Sequence, residues 1–308
     1  MKHALLRAAA VLFLLTALFS GFVSGPAQAQ DCADLEARGR AAFAAGNEAG
    51  LSEALTDATR PCPAAADTLR QLLAGLRFNE ALALHQAQAP VSEQEAALRR
   101  VLEVMPLWQA HAALGDLAAG RDDHAEATRQ YQDALDAIAS PSLTPTEPRE
   151  AVIAQIFRKA QTSRLLAPDY VPTTRSTRGQ PGGLAAPAIR SFGVTRVALP
   201  IQFHFDSTEF TEAGTAAAAD LADYLRLQGA GAITLVGHAD PVGNADYNRR
   251  LSLRRAEAVR EFLAAQGLDM QIRVEGRGHD QPFEPASEAG LSRDQLHQMH
   301  RRVELLRE

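Results

Sequence analysis

Cysteine is scarce. The chain of 308 residues carries two, Cys32 and Cys62, too few for a disulfide-scaffolded fold and without the C-x-x-C spacing of a zinc site. A basic excess is missing as well: 31 Lys and Arg face 37 Asp and Glu, for a formal charge of −6. That balance excludes the electrostatic footprint of a nucleic-acid-binding protein. No Ser or Cys sits in a nucleophile motif, and Gly276-Arg-Gly278 lacks the following helix and Lys of a phosphate loop, so it reads as a turn. His204, His238 and His279 match no metal-ligand spacing even with Asp206 or Asp240 added. Neither an enzyme nor a cofactor or metal site is therefore expected. Residues 31–190 also lack the ~10-residue alternating segments of a transmembrane barrel. What remains is ordinary: 46% hydrophobic and 22% charged residues, which excludes a disordered chain. The length predicts about two domains at roughly 100–200 residues each.

Residues 1–29 read as a secretory signal peptide. Lys2 and Arg7 precede an apolar run from Ala8 to Phe19, and Ala27-Gln28-Ala29 supplies the small-x-small cleavage pattern. The competing reading is a membrane anchor, but the run is shorter than the ~20 residues of a spanning helix. Lipidation is disfavoured because Asp31, not a small residue, precedes Cys32. Removing residues 1–29 removes two cations and no acid, which takes the charge from −6 to −8. Export places the chain in the periplasm, free or associated with the outer membrane or cell wall. It also places Cys32 and Cys62 where they are expected to pair, two buried thiols being the alternative.

Residues 31–140 are rich in Ala, Leu, Glu, Gln and Arg, strong helix formers, and a helical domain is expected over 31–166. Breaks at Gly46-Asn47, Pro61-Cys62-Pro63, Pro90, Pro106 and Gly120-Arg121-Asp122 cut the first part into helices. From His111 to Pro141, Leu114-Gly115, Ala127, Tyr131 and Ala134 fall at offsets that resemble a tetratricopeptide repeat. A plain helical bundle fits nearly as well, and either would offer a protein partner a groove. Residues 149–166 predict one more helix, with Val152, Ile153, Ile156 and Phe157 as its apolar face. Residues 167–190, rich in Pro and Gly, read as a flexible linker that lets the flanking domains move independently.

Residues 191–308 alternate strands and helices. Val197, Leu199, Ile201, Phe203 and Phe205 predict one strand, and others are expected from Ile233, from Arg273 and from Arg302. Helices are expected at 211–228, 246–266 and 292–299. The fold class is α+β: a helical N-terminal domain, then an α/β sandwich of βαβαβ type with helices on one side of a small sheet.

Within helix 246–266, Leu251, Ala258, Val259, Phe262 and Leu263 share one stripe, and Arg255 lies in its middle. A core-facing guanidinium demands an anionic partner, which an internal ion pair or a ligand can supply. Asp240 ends a strand just before this helix, where ligands commonly bind. One carboxylate near one guanidinium complements a zwitterion: the Asp takes an ammonium and the Arg a carboxylate.

The stretches Phe203-His-Phe-Asp-Ser207, Gly237-His-Ala-Asp-Pro-Val-Gly243, Tyr247-Asn-Arg-Arg-Leu-Ser-Leu-Arg-Arg-Ala256, Gly276-Arg-Gly278, Gln281-Pro282 and Arg301-Arg-Val-Glu304 make residues 197–306 resemble the OmpA-like peptidoglycan-binding domain. That domain is shared by outer-membrane proteins, peptidoglycan-associated lipoproteins and flagellar stator proteins. The resemblance implies non-covalent binding of peptidoglycan through meso-diaminopimelate of the stem peptide, with Asp240 and Arg255 as the gripping pair. It also implies that Asp206, Asn248 and Arg301 line the pocket. Two positions depart from the family pattern: Ala239 stands where Thr is usual, and His300 where Asn is usual.

Overall fold

A computed structural model describes residues 26–167, 169, 189, 191–193, 195–229 and 231–307. The body of the expected signal peptide and most of the expected linker lie outside these residues. The chain divides between Leu69 and Arg70 into two compact units, and the helix α3 (Pro63–Gln86) runs through that division.

The first unit holds α1 (Pro26–Ala44) and α2 (Glu48–Ala58). Helix α1 starts ahead of the expected cut after Ala29. The Gly46-Asn47 break works through two residues: Gly46 takes φ 64°, and the Asn47 side chain accepts from Gly50 N at 3.0 Å as N-cap. Cys32 in α1 and Cys62 just before α3 form a disulfide with Cα atoms 5.5 Å apart. Leu51, Ala54, Ala58 and Leu69 are buried. Gly39 has no room for a side chain because Leu69 lies against it.

The second unit continues with α4 (Val91–Val104), α5 (Trp108–Ala119), α6 (His124–Ala139) and α7 (Glu150–Leu166). The helices part at the proline and glycine breaks seen in the sequence. Helices α5 and α6 pack closely: a Cβ on Gly115 would stand 2.6 Å from the Tyr131 ring, whose hydroxyl donates to Asp116 Oδ1 at 2.7 Å. Ile153, Ile156, Phe157 and Ala160 of α7 close this core against Tyr131, Leu135 and Ile138.

Then come β1 (Arg196–Leu199), α8 (Glu212–Gln228), β2 (Ala232–Gly237), α9 (Ala245–Ala265), β3 (Gln271–Gly276), α10 (Arg293–His300) and β4 (Val303–Arg307). The sheet order is β1-β4-β2-β3, with β2 and β3 parallel and β4 antiparallel to both β1 and β2. The protein is thus α+β: mostly helical in its first half, with a small mixed sheet and helices in its second. Thr211 caps α8 by accepting from Gly214 N at 3.0 Å, and Gly229 ends it at φ 58°. Val197, Leu199, Leu221, Leu225, Ile233, Leu235, Val259, Leu263, Val303 and Leu305 form the core between the sheet and α8 and α9. A second cluster joins Leu165 and Leu166 of α7 to Ala198 and Met299.

One expected element is shorter than its alternation suggested. The first strand stops at Leu199 rather than reaching Phe205. Pro200 cannot donate to a ladder, and the chain turns back on itself so that Phe203 bridges Phe210. Phe205, expected to be half-buried, is 95% exposed.

Candidate ligand-binding site

Two close approaches bring the ends of β2 and β3 onto α9. A Cβ on Gly237 would stand 1.9 Å from Ser252 O, and one on Gly276 would stand 2.6 Å from Arg249 O. Only glycine permits this backbone-to-backbone packing. The Ser252 hydroxyl then accepts from Gly278 N at 2.9 Å.

Asp240 lies just beyond the end of β2. Its Oδ1 accepts from Val242 N at 3.0 Å, and its Oδ2 accepts from Arg301 at 2.7 Å. Burial alone would push the carboxyl up. The Arg301 hydrogen bond, the Val242 N–H and the Arg301 charge outweigh burial and hold it below the usual range. Asn248, in the first turn of α9, is 5% exposed. Its amide donates to Asp240 O at 3.0 Å and to Val242 O at 2.9 Å, and it meets His279 Nδ1 at 3.3 Å. It fastens the 240–243 turn to the helix.

Arg255 is 4% exposed, yet backbone carbonyls rather than a carboxylate hold it. Nε donates to Ser207 O at 3.0 Å and an Nη to His204 O at 3.4 Å. The guanidinium carbon lies 5.0 Å from the centre of the Phe203 ring. Burial pushes its pKa down and the nearby Arg301 charge adds to this, while Asp240 and Asp206 oppose it. Arg255 thereby pins the 203–210 turn. Asp206 sits in that turn at φ 51°, and its Oδ1 accepts from the Tyr247 hydroxyl at 2.5 Å.

The residues singled out in the sequence fall into two groups: Asp240 with Asn248 and Arg301, and Arg255 with the turn that carries Asp206. Asp240 pairs with Arg301, however, not with Arg255. A cavity of about 250 Å³ opens beside them, lined by Leu165, Leu199, Pro200, Ile201, Gln202, Phe203, Arg255, Gln298 and Arg301. Two guanidiniums thus face one cavity, with the Asp240 carboxylate attached to the second. Leu165 and Gln298 were missed by sequence reasoning, and nothing local marks them. Tyr247, at the start of α9, was missed as well, although its place inside a matching motif was a signal.

Behind the site lies a buried polar group. His238 is 1% exposed, and its Nε2 is 3.3 Å from Glu304 Oε2. Arg302 donates to Glu304 Oε1 at 2.8 Å. Burial pushes the Glu304 carboxyl up, but the His238 hydrogen bond and the Arg302 charge bring it to about 2.

Residues 202–294 match the OmpA family model. The chain is 36% identical over 91 residues to outer membrane porin F of Pseudomonas aeruginosa, covering 29% of this chain and 26% of the porin. It is 27% identical over 135 residues to the peptidoglycan-associated lipoprotein of Brucella melitensis, covering 44% of this chain and 80% of the lipoprotein. Among solved structures, the peptidoglycan-associated lipoprotein from Burkholderia pseudomallei aligns at 29% identity and TM-score 0.30, covering 35% of this chain and 88% of that one. The matched segments span about a quarter to a third of the two porins with which the chain aligns. Among the described residues, no helix is long and apolar enough to cross a membrane.

Proposed function

We propose that residues 191–308 bind peptidoglycan without catalysis, by gripping the zwitterionic end of diaminopimelate in the stem peptide. The observation that carries this reading is Arg255. It is a buried cation facing a cavity, held by two carbonyls, with the rest of its N–H fork left for a ligand carboxylate. Arg301 lines the same cavity and adds positive potential. A carboxylate offers about four lone-pair sites, so Asp240 can accept the ligand ammonium while keeping Val242 N and Arg301. Ionisation of Asp240, favoured by those two partners, keeps that acceptor charged at neutral pH. Asn248 holds the turn that carries Asp240, and Asp206 lies in the turn that Arg255 pins. The porin and the lipoprotein to which the chain is similar are named for the outer membrane and for peptidoglycan, which supports the same reading.

The protein on this reading is exported by residues 1–29 and works in the periplasm. Its N-terminal helices, of tetratricopeptide-like design, hold a protein partner. The support is an apolar cavity of about 140 Å³ among Phe78, Leu82, Leu98, Ala113 and Leu117. The flexible connector at 167–190 belongs to the same proposal. A second reading is favoured by Ala239 and His300: a scaffold whose OmpA-like domain no longer holds the wall. Ala239 brings no hydroxyl donor to the site.

Sedimentation with purified peptidoglycan separates the two. Wild-type chain should co-sediment, while Asp240→Asn and Arg255→Lys should bind about 10-fold or more weakly, as loss of a charge-assisted hydrogen bond implies. Equal binding by folded variants would overturn the site. No binding by wild type would leave the scaffold.

A further inference from the structure

Helix α7 faces two ways. Ile153, Ile156, Phe157 and Ala160 pack on α6. One to two turns later, Leu165 and Leu166 pack with Ala198 of β1 and Met299 of α10. Three hydrogen bonds fasten this second face. Gln161 Oε1 accepts from Ala198 N at 2.7 Å, on the open edge of β1. Thr162 Oγ1 accepts from Ala286 N at 3.2 Å. Leu165 O accepts from Gln298 Nε2 at 2.9 Å.

The last of these bonds lies close to the site. Gln298 is in the final turn of α10, and Arg301 is the residue that ends it, its backbone N donating to Gln298 O and His297 O at 3.2 Å. From there the Arg301 side chain reaches Asp240. Leu165 also lines the cavity that Arg255 and Arg301 face. With Leu199, Pro200, Ile201 and Phe203 it supplies the apolar lining of that cavity. An aliphatic spacer between two charged ends fits such a surface, since burying methylenes is favourable.

Resting on the reading of the cavity as a diaminopimelate pocket, we propose that the C-terminal turn of α7 is a wall of that pocket. On this proposal Gln298, clamped by α7, is a positioning residue for Arg301, and Leu165 contacts the ligand's aliphatic spacer. The binding module then begins at α7, within the helical region, and not after the linker. Helix α7 docks on both halves, so occupancy of the pocket and the seating of α7 on the sheet favour each other, as linkage requires.

The test uses the full mature chain with Leu165→Asn, Leu165→Met, Gln298→Ala and Arg301→Ala, titrated with a soluble stem tripeptide ending in meso-diaminopimelate. Leu165→Asn should weaken binding about fivefold to tenfold, and Leu165→Met should restore it to within about twofold. Gln298→Ala should cost about fivefold in the wild-type background and nothing further in Arg301→Ala, since it acts through Arg301. A second readout needs no ligand. The Asp240 carboxyl, followed by NMR titration, should move up in Gln298→Ala as Arg301 loosens. An unchanged Asp240 titration together with wild-type affinity in Leu165→Asn overturns the proposal. Failure of wild type to bind the tripeptide instead overturns the pocket's assignment to diaminopimelate.

Discussion

Arg255 and Asp240 were legible in the sequence because each is marked locally. One is a guanidinium on an apolar helical stripe, and the other a carboxylate at the end of a strand. What joins Asp240 to its partner was not legible, since Arg301 lies 61 residues away and meets it only when β4 has paired with β2. Two single-residue expectations follow. Glu304 has a folded-state carboxyl near 2 against an ordinary 4.5. A depressed carboxyl contributes stability that is present above the ordinary value and lost as pH falls toward the depressed one. Denaturant melts should therefore show a loss of a few kcal/mol between about pH 4.5 and pH 2, and Glu304→Gln should flatten that slope. An equally steep slope in the variant would contradict the assignment. The second concerns Gly237. An added methyl would collide with the Ser252 carbonyl, so Gly237→Ala should cost about 1–3 kcal/mol or more in urea unfolding. A cost below about 0.5 kcal/mol would show that β2 and α9 can part freely, in the range of ordinary surface changes.

Elements were read more reliably than contacts. Helix breaks in the first half were set by glycine, proline and asparagine chemistry that acts within a few residues, and those signals survive folding. The first strand was misjudged because alternation continued past Leu199 while Pro200 ended the ladder. An apolar rhythm does not distinguish a strand from the two sides of a tight turn. The role of α7 was invisible for another reason: its residues carry ordinary helical periodicity, and Leu165 meets Gln298 at a separation of 133 positions. At this scale the disulfide makes its own prediction. Cys32 and Cys62 are 30 positions apart, and closing such a loop contributes ~3–4 kcal/mol in the chain-entropy model. Thermal unfolding of Cys32→Ser/Cys62→Ser should show the first unit destabilised by about that amount. Unchanged melting of the N-terminal helices would mean that the bridge restrains nothing in the unfolded chain.

For the whole molecule, composition pointed to an ordinary mildly acidic protein and gave no hint of a ligand, because opposed charges such as Asp240 and Arg301 cancel in any sum. The fold class followed from the order of elements. The placement of a helix from the first half against the sheet of the second did not, since it depends on packing between segments far apart in the chain. The central claim is recognition of a zwitterion by a cation pair and one carboxylate. Its most direct test is calorimetric titration of the mature chain with two stem tripeptides, one ending in meso-diaminopimelate and one in lysine. Lysine keeps the side-chain ammonium but lacks the carboxylate beside it, so its side-chain end has no zwitterion to span Asp240 and Arg255. Binding of the diaminopimelate peptide at least about 10-fold tighter than the lysine peptide is the predicted result, as one charge-assisted contact implies. Equal affinities for the two peptides would contradict the account.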